Sequence, residues 1–109
     1  MALAMVVELP GLTREQYETV VKFVARAGVP AGAVFHGGGP VEDGYRVVEV
    51  WESRDAADAF YGSELLKDAT ASITAEPRVL MTWPVHGVDD GTGWREIGRP
   101  PGVTAATPR

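Results

Sequence analysis

Cysteine is missing from this sequence, which excludes a disulfide framework, a thiol nucleophile, an iron–sulfur cluster and Cys-ligated zinc. Histidine occurs only twice, at His36 and His86, with no HExxH pair and no closely spaced set of His and carboxylate ligands. No metal site is expected. Positive charge is also short: 10 Lys and Arg against 15 Asp and Glu leave a formal charge of -5. Such a chain lacks the basic surface that releases counterions from a nucleic acid or an anionic membrane, so neither is expected as a partner. The apolar run from Met1 to Leu9 is too short to cross a bilayer. No basic residue precedes it, and Glu8 and Pro10 close it, so it reads as a strand buried on both faces, and a cytoplasmic location is expected. Finally, 109 residues suffice for one core and leave no room for a separate nucleotide-binding domain; a dehydrogenase or kinase is excluded and no cofactor is expected. Forty-five per cent hydrophobic residues against 23% charged is the composition of a chain that folds.

What is present is a legible order of elements. Thr13-Arg14-Glu15-Gln16 has the form of a capping box, with Leu12 and Tyr17 flanking it and Tyr17, Val20, Val21 and Val24 on one helical stripe. Gly28 and Pro30 end that helix. A β-prone stretch from Ala31 leads through Phe35 and His36 into Gly37-Gly38-Gly39-Pro40. The glycine run resembles a phosphate loop only superficially, because no Gly-Lys-Ser/Thr follows and no helix starts there, so it reads as a flexible turn or bulge. Asp43-Gly44 signals a hairpin into the strand Tyr45 to Glu52. Ser53 caps a second helix with Ala57, Phe60, Tyr61 and Leu65 on its buried side, and Gly62-Ser63 breaks it, Ser63 capping a further piece. A last strand runs from Val79 to Val85, where Pro84 implies an edge or a bulge. Beyond His86 the composition turns to Gly, Pro and Thr. The expected organisation is a domain over 1–88 and an extended or disordered tail over 89–109, in which Trp94 could latch onto a partner.

The order is βαββαβ, the ferredoxin-like α+β arrangement of a four-stranded antiparallel sheet with its helices on one face. Tyr45, Val47, Glu49 and Trp51 then oppose Arg46, Val48, Val50 and Glu52 across the third strand, and Val79, Met81, Trp83 and Val85 oppose Leu80, Thr82, Pro84 and His86 across the fourth. Both faces carry apolar bulk. Helices cover one, so a homodimer packed through its sheets is expected to cover the other.

Three stretches carry a family resemblance: Phe35-His36-Gly37-Gly38-Gly39-Pro40, the segment Asp43 to Asp55 with its Val50-Trp51-Glu52-Ser53, and Pro84-Val85-His86. Across residues 1–88 the chain resembles small members of the dimeric α+β barrel superfamily, of the antibiotic-biosynthesis-monooxygenase-like kind. The resemblance implies a barrel between two sheets and a cavity between the helices and the sheet of each protomer. It leaves the reaction open, because the superfamily spans monooxygenases, cyclases, isomerases and haem enzymes. Its haem-degrading branch uses an Asn on the first strand, and this chain has no Asn. Its polyketide cyclases pair a His with a Tyr, for which His36 or His86 and Tyr45, Tyr17 or Tyr61 are available. Its monooxygenases surround a phenol with Trp, Tyr and Arg, types supplied by Trp51, Trp83, Tyr45 and Arg46.

Hairpin parity adds an inference of its own. With a two-residue loop, either Glu42-Asp43 or Asp43-Gly44, His36 lies opposite Glu49 or Trp51 and on the same face as both. A carboxylate beside an imidazole prepares it for proton transfer, so His36 and Glu49 are the candidate catalytic residues; alternatively His36 makes one structural hydrogen bond at a strand end. Trp51, Tyr45, Trp83 and Tyr61 are the candidate substrate-binding residues, although Trp51 and Trp83 would equally fill the space between protomers. His86, at the opposite edge of the sheet, is a second polar candidate or a structural residue. The function expected is a cofactor-independent oxygenase or cyclase of secondary metabolism acting on an aromatic or polyketide-like intermediate. The alternative is a dimer that binds a small hydrophobic metabolite without turnover.

Overall fold

The computed structural model describes residues 1–97; the rest of the expected tail, 98–109, lies outside the described residues. Strand β1 (Ala2–Pro10) leads to helix α1 (Arg14–Ala25), the hairpin of β2 (Ala33–Val41) and β3 (Gly44–Trp51), helices α2 (Arg54–Tyr61) and α3 (Glu64–Ala69), and β4 (Arg78–Val85). These strands form one antiparallel sheet in the order β2-β3-β1-β4, with β2 and β4 at opposite edges. The architecture is the ferredoxin-like one that the order of elements implied.

The capping signals act as written. Thr13 accepts from the Gln16 N–H while Gln16 Oε1 accepts from the Thr13 N–H, which satisfies two orphan donors at the start of α1. Ser53 and Ser63 accept from the N–H groups of Ala56 and Leu66. Because Ser63 recaps the chain one residue after Gly62, the second helical segment is two short helices whose axes are free to differ.

β1 is central and buried on both sides of the sheet. Leu3, Met5 and Val7 join Tyr45, Val47, Trp51 and Ala57 in a cluster on the helix side, whereas Ala2 and Ala4 join Val50 and Ile97 on the other. Alternation along a strand with a period of two produces this division.

Two expectations are corrected. Gly37-Gly38-Gly39 is neither a turn nor a bulge but regular strand, paired with Val48, Val47 and Arg46; the irregularity of β2 lies between Ala33 and Phe35. Gly38 serves close packing, since a Cβ there would lie 2.8 Å from the Tyr45 ring and 2.9 Å from the Arg46 carbonyl oxygen. The chain beyond Asp89 also begins with structure rather than an extended tail. β5 (Gly87–Asp89) and β6 (Trp94–Glu96) form a hairpin, so the boundary expected at residue 88 falls inside it. Asp89 Oδ1 accepts from the N–H groups of Gly91 and Gly93 to close the turn, and Gly87 has no side chain where the Trp94 ring lies. Ile97 then buries itself against Ala2, Ala4 and Val50, its N–H donating to the His86 carbonyl at 2.9 Å.

Candidate functional site

None of the side chains of α1 is fully buried. The helix stands off the sheet, and the space beneath it is a cavity of about 640 Å3 bounded by α1, α2, α3, β2 and β3. Tyr17, Val20 and Val24 come from α1, Phe60 from α2 and Leu66 from α3; the sheet contributes Val47 and Trp51. The size and the mostly apolar wall suit a small organic ligand.

On the sheet side, two polar clusters interrupt that wall. The hairpin loop is Glu42-Asp43, so His36 pairs with Glu49 across β2 and β3, and both line the cavity. They do not hydrogen-bond to each other. His36 Nε2 is bonded to the Tyr17 hydroxyl, with the two rings tilted at a centroid distance of 5.7 Å. Behind this pair Tyr45 stacks on Tyr17 at 4.2 Å, in the room that Gly38 leaves for its ring. Tyr17 thus has one face fixed by Tyr45 and its hydroxyl fixed by His36. Burial pushes the Tyr17 phenol well above its ordinary pKa, with the nearby charge of Glu49 adding to the effect. Tyr17 is therefore a neutral phenol at physiological pH.

Glu49 forms the second group. Only 7% exposed, it accepts from Trp51 Nε1 at 3.0 Å, and the Tyr61 hydroxyl lies 2.9 and 2.8 Å from its two oxygens. Trp51 sits two residues further along β3, on the same face, and Phe60 backs its ring at 5.3 Å. Burial raises the Tyr61 phenol far above its ordinary value, followed by the charge of Glu49 and the hydrogen bond to it. Among the described residues the ion pairs are Arg14 with Glu18 and Arg46 with Glu8, so Glu49 has no cationic partner. A buried carboxylate without a cation depends on hydrogen-bond donors to offset its loss of water, and Trp51 and Tyr61 supply them here.

The structure separates the other candidates from this cavity. Trp83 is 42% exposed and pairs with Ala4 on the far face of the sheet. Arg46 is on that face too, bonded to Glu8 at 2.7 Å. Tyr45 stands behind Tyr17 rather than in the cavity wall. His86 meets the Trp94 ring edge-on at 5.7 Å, so Trp94 latches onto its own chain. Among the described residues no group of three His, Asp or Glu could hold a metal. The role of Tyr17 was one of three tyrosine alternatives in the sequence; capping and stripe position put it on α1, but only the approach of α1 to β2 selects it.

No model of a known protein family matches the sequence, and no curated protein matches it. Solved structures do. A variant of SnoaB, a cofactor-independent oxygenase from Streptomyces nogalater, superposes with a TM-score of 0.59 at 12% identity, over 77% of this chain and 92% of the other. A dimeric ferredoxin-like protein of unknown function from Jannaschia sp. gives 0.54 at 14% identity, over 78% of this chain and 100% of the other. The chain shares the ferredoxin-like fold. A candidate antibiotic biosynthesis monooxygenase from Chloroflexus aurantiacus shares it as well, at a TM-score of 0.53 and 17% identity over 84% of this chain and 100% of the other. The antibiotic-biosynthesis-monooxygenase-like resemblance of the sequence fits these neighbours. At such identities a common fold does not carry a common reaction.

Proposed function

We propose that this chain is a homodimeric enzyme that binds an aromatic or polyketide-like intermediate beneath α1 and acts on it without a cofactor, by oxygenation or cyclisation. The observation that carries this reading is the Tyr17–His36 pair opening onto an apolar cavity of about 640 Å3. The likeness in fold to a cofactor-independent oxygenase supports it. So does the uncovered sheet face, where Met81 is 57% exposed and Trp83 42%. A second copy packed on that face would remove these side chains from water, and the Jannaschia neighbour is dimeric.

In the proposed chemistry a substrate hydroxyl meets the Tyr17 oxygen. As Tyr17 takes that proton it passes its own to His36 Nε2, so a free phenolate never has to exist in the cavity. The substrate anion then follows one of two courses. In oxygenation it reduces molecular oxygen, a C–O bond forms, the peroxide recovers the proton from His36 to give a hydroperoxide, and loss of water leaves a quinone. In cyclisation its carbon attacks a carbonyl of the same molecule, and the resulting alkoxide recovers the proton from His36. The apolar wall orients the ring and excludes water from the anion.

The test is turnover of hydroxylated naphthalene or anthracene substrates, followed as product and as oxygen uptake, by the wild type and by His36→Ala. Loss of about 100-fold or more is expected for a proton-transfer group. Full turnover by His36→Ala would overturn this assignment. Tight binding of those substrates with neither product nor oxygen uptake would favour the non-catalytic, ligand-binding dimer, a reading to which the unpaired Glu49 carboxylate lends support. A monomer at micromolar concentration by mass measurement would remove the dimer.

A further inference from the structure

Glu49 has hydrogen-bonding capacity that the protein leaves unused. An ionised carboxylate accepts about four hydrogens. Trp51 Nε1 gives one, and the single Tyr61 hydroxyl proton serves one of the two oxygens at a time. Strand β3 supplies the Trp51 donor and helix α2 the Tyr61 donor. Glu49 itself lines the cavity. No Lys, Arg or His among the described residues lies within ion-pair distance. Lys67, exposed on α3, also lines the cavity and makes no ion pair among the described residues.

We propose that Glu49 selects the ligand, accepting a hydrogen bond from a hydroxyl of a neutral aromatic ring and rejecting a ring that carries a carboxylate in that place. The inference rests on the reading of the cavity as a ligand site and deepens it. His36 and Glu49 are cross-strand neighbours, and such pairs have Cβ atoms only about 5 Å apart. A ring bound between them therefore presents two nearby oxygen substituents, one to Tyr17 and His36 and one to Glu49. A hydroxyl placed at Glu49 uses an acceptor position that Trp51 and Tyr61 leave open, on a charge held in largely apolar surroundings. An anionic substituent there would meet the carboxylate at close range with no cation between them.

The probes are 1,3-dihydroxynaphthalene, its dimethyl ether and 1-naphthoate, titrated into the wild type and Glu49→Gln by calorimetry. The wild type is expected to bind the diol about tenfold or more tightly than the ether, the span of a hydrogen bond to a charged group. Naphthoate should bind weakest. Glu49→Gln should narrow the preference for the diol and improve naphthoate binding, because the negative charge is gone while an acceptor oxygen remains. Equal wild-type affinity for diol and ether, or naphthoate as the preferred probe, would overturn the selection by Glu49 and leave the cavity as a ligand site. Failure of all three to bind the wild type would overturn both. The wild-type ranking needs no variant, so misfolding of Glu49→Gln does not shelter the inference.

Discussion

The two faces of the sheet carry side chains of similar size and are treated differently. On the helix side, Tyr45, Val47, Glu49 and Trp51 of β3 are all less than a tenth exposed, yet the layer above them is incomplete and leaves a cavity. On the far side, Val50 is covered by Ile97 from the hairpin that follows β4, whereas Val48, Met81 and Trp83 remain open. One face therefore encloses its aromatic groups around a cavity, and the other leaves them open at the surface. Both carry apolar bulk, but only the helix-covered face encloses polar groups in low dielectric, where hydrogen bonds and charges gain weight. Chemistry is expected there, and association on the other face.

Exchanging the two tryptophans tests that contrast most strongly. Trp51→Ala removes a 4% exposed indole from the cluster beneath the helices and one donor from Glu49, so a loss of about 3–5 kcal/mol in chemical denaturation is expected. A loss within about 0.5 kcal/mol, the range of ordinary surface changes, would mean that the cavity-side aromatics are not core. Tyr61→Phe is intermediate. It deletes the hydroxyl bonded to Glu49 and is expected to cost about 1.5–3 kcal/mol, as for a hydrogen bond to a charged group. The same residue sets a pH dependence. Because the folded-state pKa of Tyr61 is raised above its ordinary 10.0, its contribution is complete below about pH 10. It is lost as the pH rises past that value, since the unfolded chain then releases a proton that the folded chain holds. Tyr61→Phe should flatten that alkaline limb in a denaturation series; an unchanged limb would show that the phenol is not protected by the fold. The smallest change in folding belongs to Trp83→Lys, within about 0.5 kcal/mol for a residue on an open face. Its effect should appear instead in sedimentation, as a shift from dimer to monomer with unchanged circular dichroism.

Much of this was legible residue by residue. The Thr13–Gln16 box, the serine caps and the break at Gly62 are local exchanges between side chains and nearby backbone, so the relevant atoms are close in the chain. Hairpin parity puts His36 opposite Glu49 or Trp51 if the loop holds two residues, and the observed Glu42-Asp43 loop selects Glu49. The glycine run misled because Gly is the usual residue of turns and bulges; here it makes room for the Tyr45 ring two pairs away. The end of the chain misled for a similar reason. The Gly, Pro and Thr of 89–109 suit an extended or disordered tail, although Asp89, Gly91 and Gly93 close a turn once Trp94 and Ile97 have a surface to fold onto.

The candidate site divides along the same line. Period-two alternation alone placed Glu49 and Trp51 together on one face of β3, because side chains two apart on a strand must share a side. It also placed apolar bulk on both faces, the basis for expecting a partner. Tertiary structure alone decided that His36 bonds to Tyr17 and not to Glu49, that Tyr61 serves Glu49, and that Trp83 and Arg46 face away from the cavity. Those outcomes depend on how α1 and α2 dock on the sheet, and docking is settled by packing among residues far apart in sequence, about which no local pattern carries information.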